Sequence, residues 1–541
     1  MTRKYSHFII ILTIFICAIA LRGIHINADT PSGLSWSAGL YVDEGYKTLS
    51  PRNLILFGKT HWHAADTYPG WMNYSPITQW SVYAAFKNFG ISISSARLVP
   101  IIYFSLFILL YIFFMFRRHS SKIFYLGLVL LASDATLFTF SRVALFEMPI
   151  SFFIYAMILP LSLYKEKTSI SIYPLIGLFI GGIALTYLIK LSLLIYIFPV
   201  LAAASISFIV KNNKMSKNQL ILFSSAFLIA ILAILGFSYD DWSTRLNISP
   251  QLYVYSVIEN PLLLTSPAII IAGTLCAAHA IAYQSNLYLN NLYRLSLICM
   301  VLSAPFILSL FSYGPLRYYL PFVPAYILLI IEWFSTSTTE TSRRITNRVF
   351  YVIGMLMFSL AVMYALTALK LSEYIQIRFI IVIGLSAALI VFLFRHQALP
   401  KNTVQKIMMA IISLSILQNI YFIGSFISNP RYDAETMRKR LSEIVKSDEV
   451  IAGGWAPFLT LGTPIKSIYA SSAFNPPEAL KLIQPNYFIL SNTPVSLKTF
   501  ERLNNDEQII FGSAITLGKY NDTLVTIYPL SYNTENLPKN H

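Results

Sequence analysis

The sequence predicts a polytopic α-helical membrane protein with about 13 transmembrane helices, and composition and long apolar runs are the observations behind this. The chain has 541 residues, of which 56% are hydrophobic and 12% charged, against roughly 25% charged in soluble proteins. Apolar runs of ~17 to 22 residues, the length that crosses ~30 Å of hydrocarbon, recur along the chain. They lie at about 8–26, 98–116, 123–140, 148–164, 172–189, 191–210, 220–238, 265–283, 295–313, 318–334, 349–369, 377–394 and 407–427.

The charged residues between the runs predict the topology. Basic residues gather in alternate loops, which is typical of cytoplasmic loops and argues against a nucleic-acid surface, despite a net charge of +16. Most acidic residues near the membrane fall on the opposite side, so we expect the N-terminus inside and the C-terminus outside. The basic clusters are Arg3 and Lys4, Arg117, Arg118 and Lys122, Lys165 and Lys167, Lys211, Lys214 and Lys217, Arg294, Arg343, Arg344 and Arg348, and Arg395, Lys401 and Lys406.

Two segments on the predicted outer side are too long to be turns. The first loop, residues 27–96, is rich in Trp, Tyr, His and Pro, which favours helices lying at the membrane interface. Residues 428–541 are more charged and predict a small extracytoplasmic α/β domain after a transmembrane domain at 1–427. In it we expect a helix at Ala434–Lys446 and strands at Glu449–Gly453, Ser467–Ala470, Tyr487–Leu490 and Thr523–Tyr528.

The strongest candidate reaction centre is the carboxylate pair Asp43 and Glu44 in the first loop, because acids near lipid are costly. Arginines at the same predicted depth suit an anionic headgroup, since a guanidinium matches phosphate oxygens. Each has a structural alternative: Arg97 can extend to lipid phosphates, and Arg142 can pair with Glu147. These candidate cations are Arg97, Arg142 and Arg317.

Other polar residues carry weaker signals. His61 and His63 flank Trp62 and are candidates for a divalent metal, although neighbouring interfacial histidines commonly bind none. We therefore expect no required cofactor. Lys47 and Lys59 are weaker candidates than the arginines for contact with an anionic headgroup, and the preferred interpretation is that they are ordinary interfacial lysines. Three cysteines, all inside apolar runs, predict no disulfide framework.

Five motifs combine these candidate residues with aromatic residues and prolines. The first-loop motifs are Tyr41-Val-Asp-Glu-Gly-Tyr46, Gly70-Trp-Met-Asn-Tyr-Ser-Pro76 with Trp80, and Ser95-Ala-Arg-Leu-Val-Pro100. Two later ones are Ser141-Arg-Val-Ala-Leu-Phe-Glu-Met-Pro149 and Arg317-Tyr-Tyr-Leu-Pro321 with Pro324. In order and sidedness these motifs resemble the membrane-embedded GT-C glycosyltransferases, and most closely the protein O-mannosyltransferase and lipid A aminoarabinose transferase superfamily. The resemblance covers the membrane part in outline and includes an outer C-terminal domain.

The resemblance implies an inverting transfer of a sugar from a polyprenyl phosphate donor to a protein, lipid or glycan acceptor outside the cytoplasm. It implies that Asp43 is the base and that Glu44 holds the acceptor or orients its partner. Arg142 and Arg317, then Arg97, are expected at the donor phosphate. Glu147, Tyr46, Tyr74 and Tyr318 are expected to line the sugar or lipid pocket.

The sequence departs from that pattern in two places. Glu147 stands where many relatives have Asp, and Tyr74-Ser-Pro76 stands where aminoarabinose transferases usually have Lys-Pro-Pro. The phosphate-binding lysine of those enzymes is therefore missing at this position. Aminoarabinose is for the same reason a doubtful substrate.

Two other classes of function remain open at this level. A transporter or flippase for a lipid-linked saccharide would carry charges along a mid-membrane pathway, whereas these gather at one surface. A polysaccharide polymerase or ligase usually centres on a large late loop, whereas the informative loop here is the first. The C-terminus shows no endoplasmic reticulum retention signal, and we expect a bacterial inner membrane location.

Overall fold

The computed structural model describes residues 2–30, 42–163 without 69, 71, 73 and 74, 193–211, 266–283, 291–309, 316–336 and 401–533 without 472, 473, 521 and 522. Isolated residues at 177, 180–182, 184, 185, 188, 189 and 288 are also described. The predicted spans at 220–238, 349–369 and 377–394, and most of 172–189, lie outside these residues. The span number of about 13 therefore stays a prediction.

The described residues form helices and one small sheet. The helices are α1 (Thr2–Gly23), α2 (Val42–Phe57), α3 (Pro76–Phe89), α4 (Ile93–Met115), α5 (Ser121–Ser133), α6 (Ala135–Phe140), α7 (Glu147–Ile158), α8 (Leu193–Lys211), α9 (Pro267–Tyr283), α10 (Leu292–Ser309), α11 (Val323–Thr336), α12 (Lys401–Ser428), α13 (Asp433–Ile444), α14 (Ala456–Leu459), α15 (Pro477–Ile483) and α16 (Pro494–Asn504). Two 3-10 helices lie at Leu159–Leu163 and Leu316–Phe322. The strands are β1 (Val450–Gly453), β2 (Lys466–Ile468), β3 (Tyr487–Ser491), β4 (Ile509–Phe511), β5 (Ile515–Tyr520) and β6 (Thr523–Tyr532).

Four stretches of the described chain are long and apolar enough to cross a bilayer. They are Tyr5–Gly23, Ile93–Met115, Leu316–Thr336 and Met408–Ile444. Phe8, Ile9 and Ile16 of the first stretch are exposed, as lipid-facing side chains are. The chain is therefore a polytopic helical protein, as predicted.

Contacts divide the chain into two compact units. The helical unit comprises Met1–Leu21, Tyr103–Phe140 and Glu147–Ser425; the loop unit comprises Arg22–Ile102, Ser141–Phe146 and Phe426–His541. The loop unit thus contains the first loop together with the C-terminal residues. The predicted domain boundary between 427 and 428 stays a prediction.

Helix α11 lies at the centre of the helical unit. It packs against α5, α9 and α10, and α10 in turn packs against α8. Every residue of Val323–Trp333 is buried, which suits a helix that is apolar on all sides. One acid, Glu332, interrupts this apolar surface near the end of the helix.

Glu332 forms a buried ionic cluster in the helical unit. Its oxygens accept from Arg118 Nε at 2.6 Å and from Arg294 Nε at 2.8 Å, and His119 Nε2 lies 3.3 Å away. Glu332 is fully buried, so the two guanidinium groups compensate the cost of removing a carboxylate from water. The cluster ties α11 to α10 and to the end of α4. Both arginines belong to the predicted cytoplasmic clusters, and Glu332 is an acid among them.

The predicted span at 123–140 is interrupted at Asp134, between α5 and α6. Asp134 Oδ1 accepts from the backbone N–H of Leu137 at 2.9 Å, which caps α6, and Ser266 Oγ donates to Asp134 Oδ2 at 2.6 Å. A continuous helix was expected from the apolar run alone. The acid ends one helix and begins the next.

The C-terminal part of the loop unit is an α/β fold around a six-stranded sheet. The strand order is β2-β1-β3-β6-β4, with β5 also paired to β6. Strands β1, β2 and β3 are parallel, whereas β6 is antiparallel to β3, β4 and β5. The predicted helix and four predicted strands are present with shifted ends; β4, β5 and three helices were not predicted.

Candidate active site

Asp43 and Glu44 lie in the first turn of α2, in the loop unit. Carboxylates are favourable at this end of a helix because its free N–H groups carry partial positive charge. Asp43 is 8% exposed and Glu44 is fully buried. The two adjacent acids therefore differ in their exposure to solvent.

Arg97 pairs with Glu44 through two parallel hydrogen bonds. Arg97 Nε donates to Glu44 Oε1 at 2.8 Å and Nη2 donates to Oε2 at 2.7 Å. Arg97 Nη1 donates to the carbonyl oxygens of Ile26 and Ala28 at 2.7 and 2.6 Å. These four bonds favour a positioning role for Arg97 over the predicted contact with a donor phosphate. They tie α2 to the start of α4 and to the segment after α1.

The turn 141–146 also contacts Glu44. The backbone N–H of Ala144 donates to Glu44 Oε1 at 2.7 Å. Arg142 Nη2 donates to the carbonyl oxygens of Ile24 and His25 at 2.7 and 2.8 Å, and its guanidinium lies 4.3 Å from the centre of the Phe426 ring. Burial, and then the positive charge of Arg97, lower the pKa of Arg142 to about 9. A second cation is therefore held beside the Glu44–Arg97 pair at a cost in desolvation.

Lys47 is buried one helical turn beyond Asp43. Its side chain is 3% exposed, and its ammonium group lies 4.9 Å from the centre of the Phe146 ring. An ordinary interfacial lysine would extend to water. Lys59 does so, since it is exposed. The burial of Lys47 therefore differs from the interfacial position preferred for it from the sequence.

The C-terminal residues fix the position of α2. Gly45 lies so close to α14 that a methyl group there would overlap the backbone of Phe458. About two turns further along α2, Arg52 Nη2 donates to the carbonyl oxygens of Thr463 and Ile465. Arg52 is fully buried, and burial lowers its pKa to about 10. The glycine of the Asp-Glu-Gly motif is thus required by close packing.

His61 and His63 are engaged within the loop. His61 hydrogen-bonds to Thr60 Oγ1 at 3.0 Å and to the Tyr68 carbonyl oxygen at 2.7 Å, and His63 Nδ1 accepts from the backbone N–H of Ala65 at 3.0 Å. Trp62 between them packs against a cluster formed by Val450, Ile468 and Ile483. Across the described part of the chain, no group of three His, Cys, Asp or Glu side chains is placed to hold a metal ion.

The aromatic candidates fall in different places. The ring of Tyr46, on the same helix as Asp43, contacts the rings of Tyr68 and Tyr469. Tyr74 lies outside the described residues. Tyr469 was not among the predicted residues, since it lies more than 420 positions from Asp43 in sequence.

The remaining candidates lie in the helical unit. Arg317 Nε lies 3.7 Å from Glu147 Oε1, and both side chains are buried. The Arg317 guanidinium lies 5.3 Å from the centre of the Tyr318 ring, and Tyr196 donates to the carbonyl oxygen of Tyr318 at 2.8 Å. Glu147 was considered as a partner for Arg142, and the structure pairs it with Arg317.

The chain is a polytopic helical protein with a small C-terminal α/β fold, and its fold is of the GT-C class. The solved structures that it resembles include ArnT from Cupriavidus metallidurans bound to undecaprenyl phosphate, with 12% identity, a TM-score of 0.51, and coverage of 97% of this chain and 98% of that chain. The apo state of the same protein matches with equal identity and coverage and a TM-score of 0.50. No protein-family model and no curated protein matches the sequence. The chain therefore has an ArnT-like fold.

Proposed function

We propose that the protein is an inverting glycosyltransferase that moves a sugar from a polyprenyl phosphate donor to an acceptor. The observation that carries this proposal is the ion pair between Glu44 and Arg97. This ion pair engages Glu44 and holds the adjacent Asp43 at the start of α2. An ArnT-like fold, in a neighbour bound to undecaprenyl phosphate, supports a lipid-linked donor.

Asp43 is the proposed base. Its carboxylate takes the proton of an acceptor hydroxyl as that oxygen attacks the anomeric carbon of the donor sugar. The bond from this carbon to the phosphate oxygen breaks at the opposite face, and its electron pair leaves with the polyprenyl phosphate. The configuration at the anomeric carbon is therefore inverted, and no oxidant or reductant is needed.

Glu44 and Arg97 are the proposed positioning residues. A buried carboxylate that accepts from Arg97 and from the Ala144 N–H resists rotation, which keeps the neighbouring Asp43 in one orientation. Removing one member of a buried ion pair costs about 3 to 5 kcal/mol. We therefore expect Glu44→Gln to disturb both folding and turnover.

Positive charge is the expected requirement of the leaving phosphate, because this group needs charge stabilisation more than protonation. Arg142 is the proposed contact in the loop unit, and Arg317 is a proposed contact in the helical unit. We propose that no metal is required, because arginines can supply this charge. We also propose an inner-membrane location with the C-terminal residues outside the cytoplasm.

The test is Asp43→Asn in the purified full-length protein. We expect transfer from an undecaprenyl phosphate-linked sugar to fall at least about 1000-fold, while donor binding changes little. Asp448→Asn is the matched control, because Asp448 is an exposed acid of the same unit. Normal turnover in Asp43→Asn would overturn the assignment of the base.

A further inference from the structure

A cluster of aromatic rings lies beside Asp43 in the loop unit. Tyr46 follows Asp43 by three residues and so shares its face of α2. Tyr469 directly follows β2, and its ring lies 4.5 Å from that of Tyr46, tilted by 36°. The ring of Tyr68 lies 5.1 Å from that of Tyr469. Burial, and then the negative charge of Asp43, raise the pKa of Tyr469 to about 12, which fits a position near the carboxylate.

Asn475 fixes two of these tyrosines. Its side chain donates to Asp66 Oδ1 at 2.7 Å and to the carbonyl oxygen of Tyr469 at 2.9 Å, and it accepts from the backbone N–H of Thr67 at 2.8 Å. Asp66 Oδ1 also accepts from the backbone N–H of Tyr68 at 3.0 Å. Asn475 is fully buried and has a left-handed backbone with φ of 54°. One side chain therefore holds the backbones that carry both rings.

The cluster is not a closed core. Tyr68 is buried, whereas Tyr46 and Tyr469 are half-buried. A tyrosine presents a flat apolar face with a hydroxyl at its edge, and a pyranose ring likewise has an apolar C–H face bordered by hydroxyl groups. Ligand sites commonly combine aromatic side chains with a few placed polar groups. The half-buried rings of Tyr46 and Tyr469 and the adjacent carboxylate meet this description, and Tyr68 packs against both rings.

We propose that the half-buried rings of Tyr46 and Tyr469, supported by the buried ring of Tyr68 and together with it named here the tyrosine platform, bind a pyranose ring of a saccharide acceptor and present its hydroxyl to Asp43. The inference rests on the proposed function and deepens it by naming the acceptor class. It also gives the C-terminal residues a direct part in the reaction through Tyr469. Tyr469 is a specificity-determining residue under this proposal.

The binding test uses the full-length protein in lipid nanodiscs and the methyl glycosides of glucose, galactose and mannose. Saturation-transfer NMR compares Tyr469→Leu, which keeps bulk but removes the flat ring, with Tyr469→Phe, which keeps the ring. We expect the first substitution to weaken glycoside binding about 5- to 10-fold and the second to change it less than about 2-fold. Tyr528→Leu is the control, because Tyr528 is half-buried in a separate aromatic cluster with Phe500 and Phe511.

Three results would overturn the platform. The first is an absence of glycoside binding to the unsubstituted protein. The second is equal binding by all variants. The third is that a serine- and threonine-containing peptide or glycerol phosphate, but no glycoside, binds in a way that depends on the Tyr469 ring. These two probes represent a protein acceptor and a lipid headgroup.

Transfer assays separate this inference from the proposed function. We expect Tyr469→Leu to raise the acceptor KM about 5- to 10-fold while the donor KM changes less than about 2-fold. An unchanged acceptor KM alongside inactivity of Asp43→Asn would overturn the platform alone. Ring-dependent glycoside binding alongside full activity of Asp43→Asn would overturn the proposed base and leave the platform intact.

Discussion

Arg97 uses four hydrogen bonds to join three parts of the loop unit. A guanidinium has five N–H donors in a rigid plane, and those of Arg97 reach Glu44, Ile26 and Ala28. This geometry suits a residue that orients its neighbours. Among the candidate cations, a direct role at the phosphate therefore fits Arg142 better than Arg97.

Lys47 is the second residue-scale feature with a consequence for the reaction. Its side chain is buried one helical turn from Asp43, the proposed base. We expect Lys47 to supply charge to the donor phosphate, in place of the lysine missing from Tyr74-Ser-Pro76. Lys47→Met should lower transfer about 10- to 100-fold, measured as kcat/KM for the donor, whereas Lys59→Met should not. Equal effects of the two substitutions would show that burial of Lys47 is unrelated to turnover.

At the scale of elements, α2 depends on its contact with α14. Gly45→Ala places a methyl group against the backbone of Phe458, so α2 must shift and carry Asp43 with it. Overpacking of this kind costs roughly 1 to 3 kcal/mol. We expect a lower melting temperature and a large loss of transfer. Gly454→Ala is the matched control, since its nearest neighbour would be the Ala470 carbonyl oxygen at 3.9 Å. A fully active Gly45→Ala would mean that this contact does not position the base.

Asp29 joins the segment after α1 to the start of α13. Its Oδ2 accepts from the backbone N–H of Asp433 at 2.6 Å and of Ala434 at 3.4 Å. Burial raises the pKa of Asp29 from 3.8 to about 6, although these bonds and Arg97 oppose the shift. The folded protein therefore binds this proton more tightly than the unfolded chain does.

A pH-dependent stability follows from that raised pKa. The contribution of Asp29 is most favourable below about pH 4, declines between about pH 4 and 6, and is constant above, with a total change of at most about 3 kcal/mol. Asp29→Asn lacks this titration. We expect the melting temperature of Asp29→Asn minus that of the unsubstituted protein to increase as the pH is raised from 4 to 6. Melting curves that stay parallel over this range would contradict the shift.

At the scale of the whole molecule, the candidate residues are divided between two compact units. Asp43, Glu44, Lys47, Arg97 and Arg142 belong to the loop unit, whereas Arg317 belongs to the helical unit with Glu147. The loop unit combines segments from three distant parts of the sequence. Candidate residues of each unit must therefore be substituted to show that the residues of both units serve one reaction.

Arg317→Ala is the matching prediction for the helical unit. We expect it to weaken donor binding more than acceptor binding, by about 10-fold or more in the donor KM, because a phosphate loses a charged contact. Arg117→Ala is the control, since Arg117 is an exposed arginine of the same unit. Equal changes in both substrates would argue for a purely structural role of the Arg317–Glu147 pair.

Local patterns predicted much of the fold. Run length predicted the long apolar helices, whereas the short helices α14, α15 and α16 were not predicted. Strand patterns predicted β1, β2, β3 and β6. Strands β4 and β5 were not predicted; β4 has three residues, and β5 contains a register shift beside Gly518. Asp134 interrupted a helix that hydropathy alone treated as continuous.

Tertiary contacts set the limits of prediction for the site. The acids Asp43 and Glu44 were visible as carboxylates in an unfavourable position. The burial of Lys47 and the approach of Tyr469 depend on packing between residues hundreds of positions apart. A single sequence contains no local signal for such contacts.

The ionic cluster around Glu332 has a consequence for biogenesis. Arg118 precedes Glu332 by 214 residues, and at elongation rates of 5 to 20 residues per second the ribosome needs roughly 10 to 40 s to supply that acid. Arg294 precedes Glu332 by only 38 residues. The nascent chain must therefore keep the end of α4 adaptable while these 214 residues are synthesised. Synthesis of α11 then supplies the carboxylate that neutralises this charge.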